Sequence, residues 1–113
     1  MTHPTEQTAP PHQRYEALID EAERAAGILP TIDDCRRLNH ELRAAIGDLA
    51  GRVRQQQDRL QHGAVAWQAH EDALLGAQAA LCGGLGLGLR SAALHVATLG
   101  QAARALADRI DRD

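Results

Sequence analysis

The sequence predicts an all-α fold, an antiparallel helical bundle of three to four helices with one long spine helix. Three observations carry this expectation. Ala and Leu supply most of the apolar residues and both favour helix, while Phe is absent and Trp and Tyr occur once each. Four prolines and little Val or Ile argue against sheet. Four segments repeat apolar residues at spacings of three and four, the period of one helix face. The 113 residues suffice for one domain and are too few for two ordinary ones. The expected organisation is a disordered tail over residues 1–11 and a single bundle domain over residues 12–113.

The tail, within "MTHPTEQTAPPH", has no basic start and no apolar run, so a signal peptide is not expected. Its polar, Pro- and Thr-containing composition predicts disorder. A first helix is expected from His12 to Ala26, with Pro10 and Pro11 before it and Gly27 after it. Tyr15, Leu18, Ile19, Ala22 and Ala26 share one face.

The spine helix is expected from Thr31 to about His62. Thr31 can cap its free N–H groups, and Asp33 and Asp34 suit the positive end of the helix dipole. Cys35, Leu38, Leu42, Ile46, Leu49, Val53 and Leu60 step by helical intervals, heptad-like from Leu42 and interrupted at Gln56. A helix of about 30 residues would be about 45 Å long. After Gly63, a third helix is expected from about Ala64 to Cys82, with a stripe of Trp67, His70, Leu74, Ala77 and Leu81. The last helix is expected over about Leu89 to Ile110, with Leu89, Ala92, Val96, Leu99, Ala103, Leu106 and Ile110 on its apolar face.

Between them lies "LCGGLGLGLRSA", Leu81 to Ala92. A dinucleotide loop needs G-x-G-x-x-G after a strand. Here Gly84 and Gly86 fit, Leu89 stands at the third glycine, and the preceding pattern is helical. Arg90 and Ser91, beside free N–H groups at a helix start, are the weak anion-binding candidates. Ala73 to Leu89 is uncharged over 17 residues, but its stripe is one-sided and it holds five glycines, so a membrane span is not expected. The favoured reading is a helix–helix connection. Its glycines take left-handed conformations, Leu85, Leu87 and Leu89 tuck into the bundle end, and Ser91 caps the last helix if that helix starts late.

Chemistry is sparsely signalled. All twelve basic residues are Arg, which excludes a lysine nucleophile, a Schiff-base lysine and a complete phosphate loop of the G-x-x-x-x-G-K-[ST] type. A net charge of −3 gives no basic field for nucleic acid. "RVRQQQDR", Arg52 to Arg59, has acids interleaved on the same helix and reads as a solvated mixed-charge face. Cys35 and Cys82 form no C-x-x-C pair and read as reduced, mostly buried thiols in a cytoplasmic chain. None of the six histidines forms an i, i+4 ligand pair, so no metal is expected, and no cofactor. "HED", His70 to Asp72, cannot act as a triad because neighbouring helical residues point about 100° apart. "GDLAG", Gly47 to Gly51, has a spacing that permits close helix approach, although both glycines sit beside the seam.

The expected function is therefore a non-enzymatic helical protein-interaction or accessory module with no catalytic residues. One alternative is a small-ligand sensor with a pocket near Trp67 and His70. The expected assembly is a homodimer, because Ala-rich stripes bury little area each and the spine helix outreaches its neighbours. Val53 and Leu60 are its candidate interface. A protein partner is the other candidate, and neither nucleic acid nor membrane is expected.

"LNHELRAAIGDLAGRV" followed by an Ala-rich helix and "GLGLRSAALHVATLGQAARALADRI" resembles a family of small actinobacterial, largely streptomycete, helical proteins of unknown function. The resemblance covers roughly Leu38 to Ile110, with His95, Leu99, Ala103, Leu106 and Asp108 at the matching positions of the last helix. The family's turn often has prolines where this chain has leucines, and its closing Cys-Asp-His is Ala107-Asp108-Arg109 here. Some members carry natural-product biosynthesis labels, which implies an accessory role. A second resemblance is to the Trp-x-Gly type VII secretion substrates, which are secreted helical hairpins. Here Trp67-Gln68-Ala69 places Ala where that motif has Gly.

Overall fold

Thr31 begins the long helix as its sequence implies. Its hydroxyl accepts the Asp34 N–H at 3.0 Å, with Asp33 and Asp34 in the first turn. The computed structural model describes residues 11–25, 27–28, 30–86 and 88–112. They form four helices: α1 (Pro11–Ala25), α2 (Ile32–Gln57), α3 (Val65–Leu81) and α4 (Leu89–Arg112). Pro11 opens α1, one residue inside the expected tail, at a position whose missing N–H would be unpaired anyway. Residues 1–10, where the tail is expected, lie outside the described residues, as do Ala26 and Leu87.

α2 stops at Gln57, five residues before the expected end. The last N–H groups tighten over shorter spans, from Arg59 to Gln56 O and from Leu60 to Gln57 O, both at 3.0 Å. The physical reason is the partner helix. Gln56 Nε2 reaches Ile110 O near the end of α4, so a longer α2 would have nothing to bury its seam against. The chain instead turns back through Gly63, whose φ of +86° suits glycine.

α2 and α4 are nearly equal, at 26 and 24 residues or about 39 and 36 Å. The expected overreach of the spine is therefore absent. Cover comes from α4: α1, α2 and α3 all pack on it, while α1 and α3 hardly meet. The pairs Asn39–His95 and Gln56–Ile110 advance together, so α2 and α4 run parallel. Tyr15–Asp48 with Glu21–Arg37, and Arg43–Leu81 with Gln57–Trp67, advance in opposite senses. α1 and α3 are thus antiparallel to α2, in an up-down-up-down bundle.

The core joins Leu38, Leu42, Ile46, Leu49 and Val53 of α2 to Val96, Leu99, Ala103 and Leu106 of α4 in one cluster. Ile19 and Ala22 enter it from α1, and Leu74 and Ala77 from α3. Each fully buried Leu or Ile contributes about 1.5–3 kcal/mol. Where α4 crosses α1 the backbones come close, because a Cβ on Gly100 would lie 2.8 Å from the Ala22 Cβ. Gly47 and Gly51 make no such approach, with nothing within 4 Å of a Cβ at either. Arg104 holds the same α1–α4 seam, donating through Nε to both Glu23 oxygens and through Nη2 to Asp20 at 2.6 Å.

Candidate functional site

Three places hold the residues that could carry chemistry. The first is the connection from α3 to α4. α3 ends at Leu81 with Cys82 as its C-cap, and Gly86 and Gly88 have φ of +71° and +94°, which confirms the need for glycine there. Leu85 and Leu89 pack against the core as expected. α4 already begins at Leu89, so Ser91 lies inside its first turn, exposed, and does not cap it. Arg90 beside it is exposed as well.

The connection is held from α2. Arg43 donates from Nη1 to Leu81 O at 3.0 Å and from Nη2 to Gly83 O at 2.6 Å, two carbonyls freed by the end of α3. Its Nε donates to Asn39 Oδ1 at 3.1 Å, and the same oxygen faces His95 Nε2 at 3.2 Å. An oxygen only accepts, so His95 carries its proton on Nε2. Burial, and then the Arg43 charge, push the His95 pKa down, so the ring is neutral at pH 7. Its other edge lies against Gly83, where a Cβ would be 3.3 Å from Nδ1. The cluster ties three helices together, and sequence reasoning did not find it. Asn39 and Arg43 are one turn apart on α2, but His95 lies 56 residues beyond Asn39.

The second place surrounds Trp67 and His70. His70 is 0% exposed. Its Nδ1 donates to Ala66 O at 2.9 Å, and its Nε2 meets the Gln56 side-chain amide at 3.2 Å. Both ring nitrogens are engaged inside the bundle and face no open pocket. Trp67 is half-buried, with its ring on His62 at a centroid distance of 4.2 Å. It lies within α3, not in the bend between helices. Glu71 accepts from Gln57 and Asp72 from Gln68, so the three residues of "HED" serve three separate contacts. Among the described residues no group of three or more His, Cys, Asp or Glu is placed to hold a metal ion.

The third place is the outer face of α3 and α4. Leu75 on α3 and Leu94 on α4 are 52% and 53% exposed, and Val65 is 87% exposed. Between the helices runs an open groove of about 400 Å³, walled mainly by alanines and by Gly76, with Asp72, Thr98 and Gln101 on its rim. No charged residue occurs from Ala73 to Leu89. The other exposed helix faces are laced with ion pairs instead, such as Arg37 with Glu21 and Glu41 and Arg52 with Asp48. Val53 is 0% exposed and is covered within the chain, and Leu60 is half-buried in the turn after α2. Val53 is therefore closed to a partner in the folded chain, while Leu60 stays partly open. Among the described residues no helix is long and apolar enough to cross a membrane.

Compared with known families, residues 12–113 match the model described as a family of unknown function, DUF6415. No curated protein and no solved structure matches the chain.

Proposed function

We propose that this chain, which belongs to the family of unknown function DUF6415, is a non-enzymatic helical protein-interaction module that presents the α3–α4 face to its partner. The observation that carries this reading is that α3 and α4, which expose half of Leu75 and Leu94, enclose an alanine-lined groove on a face that lacks the ion pairs of the others. Water contact with such a surface is unfavourable, and a packed helix would remove it. The resemblance to streptomycete proteins with biosynthetic labels fits an accessory role of this kind.

The test is photocrosslinking from benzoylphenylalanine placed at Gln101, on the groove rim, or at Arg36, on the charged face of α2. The full chain should give a protein adduct from position 101 that disappears with Leu75→Arg. It should give none from position 36. Absence of any adduct at 101, or the same adducts from both positions, would refute the module.

A further inference from the structure

We infer that the occupant of the α3–α4 face is a second copy of this chain, in a two-fold dimer; the inference rests on the interaction-module reading. The argument begins with charge. Arg90 and Asp108 both lie on the exposed side of α4, 18 residues or five turns apart, so they sit on one line along the helix. That spacing is about 27 Å. Between them the one charged side chain near this line is Arg104, whose guanidinium is taken up by Asp20 and Glu23 of α1, and Leu94, Thr98, Gln101 and Ala105 are uncharged. With the Arg104 charge offset by its α1 carboxylates, the line has an unpaired base at one end, an unpaired acid at the other and apolar or neutral side chains between.

Such a face complements itself. A two-fold axis perpendicular to it at the level of Leu99, midway between residues 90 and 108, turns the basic end of one copy onto the acidic end of the other. Each Arg90 then meets the partner's Asp108. Asp72, on the groove rim with Ala105, adds a second carboxylate at that end. Leu94 is carried onto the groove at the level of Ala105.

A second observation supports the same assembly. Arg90 stands in the first turn of α4 and Asp108 one turn from its end. Both oppose the helix dipole, which favours acids at the start and bases at the end. Among the described residues neither has an ion-pair partner within the chain to offset this. A two-fold partner supplies one to both.

The area sets the strength. Two helices side by side, about 8–10 Å apart, give a face of about 500–600 Å² per copy. That is about 1,000–1,200 Å² in total, at the weak end of specific interfaces. The dimer is expected to form in the micromolar range.

Sedimentation equilibrium of the full chain, from about 5 to about 500 µM at low salt, tests this. The mass should rise from 12.2 kDa toward twice that value. Leu94→Arg should leave a monomer throughout. Arg90→Glu and Asp108→Arg should each weaken the dimer about tenfold, since every substitution is felt twice across the axis. The double variant, with the charges exchanged, should return to within a few-fold of the parent. All these sites are exposed, so the helical circular dichroism should be unchanged. A chain that is monomeric at every concentration overturns the dimer. So does a dimer indifferent to both Leu94→Arg and Arg90→Glu. A monomer that still crosslinks from position 101 to a different protein overturns the dimer while leaving the interaction module standing.

Discussion

Replacing Gly100 with Ala sets two effects of opposite sign against each other. Helix propensity alone favours Ala over Gly by about 1 kcal/mol in a helix interior. The contact with α1 opposes it. The new Cβ would lie 2.8 Å from the Ala22 Cβ, against a comfortable carbon–carbon separation of about 3.5–4.0 Å. Ala22 has no side-chain torsion to turn away, so the helices must part by several tenths of an ångström. One turn along, the fork of Arg104 on Asp20 and Glu23 resists that movement. Overpacking of this kind costs about 1–3 kcal/mol. The net expectation is a loss of about 1 kcal/mol, or a fall in Tm of about 4–8 °C. Ala22→Gly alone should lose about 2 kcal/mol, from propensity and one buried methyl. The double variant moves the methyl across the seam and should come within about 1 kcal/mol of the parent, far above additivity. Urea and thermal unfolding followed by helical circular dichroism would measure all four chains. A Gly100→Ala chain as stable as the parent, or more so, would refute the close approach.

Arg43→Met removes two charge-assisted bonds from the end of α3, and a loss of about 1–2 kcal/mol in urea unfolding is expected, with faster amide exchange over residues 81–86. His95 is harder to protonate in the folded chain than in the unfolded one, so its contribution is complete above the ordinary histidine value of 6.5 and is lost as pH falls below it. Tm measured from about pH 7.5 to 5.5 should decline less in His95→Gln than in the parent, and parallel curves would remove His95 as the cause. Cys82, expected to be buried, is exposed at the end of α3 and should react with a disulfide reagent in the native chain, whereas Cys35, buried and with its thiol pKa raised by burial and then by Asp34, should react only on unfolding.

What could be read from the residues was local. The cap at Thr31, the α2 stripe from Cys35 to Val53 and the glycine turn at Gly86 and Gly88 each depend on neighbours within a few positions. The end of α2 was missed because Leu60 continues the spacing, while the surface that would bury it is absent. That is a fact about α4. The Gly47–Gly51 pair has a recognisable spacing but lies beside the seam, and the close approach belongs to Gly100, whose partner Ala22 is 78 positions away and carries no motif. Gln57 had no apolar signal, yet it is buried because Glu71 and the Trp67 carbonyl receive its amide. His70 was visible as an oddity in its stripe, but the partners that occupy its two nitrogens were not. The outer face of α3 was written in the uncharged run from Ala73. Its meaning depended on learning which side of that run the core uses.

Since α4 follows the other three helices in chain order, the bundle has a timetable. At about 5–20 residues per second, α1, α2 and the connections after them leave the ribosome seconds before the surface that buries Leu42, Ile46 and Leu49 exists. α2 and α3 can form a provisional hairpin in that interval, through Gln57, Glu71 and Arg43. α1 has few contacts with α2 and most of its burial on α4, so the first helix of the bundle is held only after the fourth arrives. Nascent chains therefore carry an open leucine seam until α4 is made, and the step that closes it joins segments about 80 residues apart.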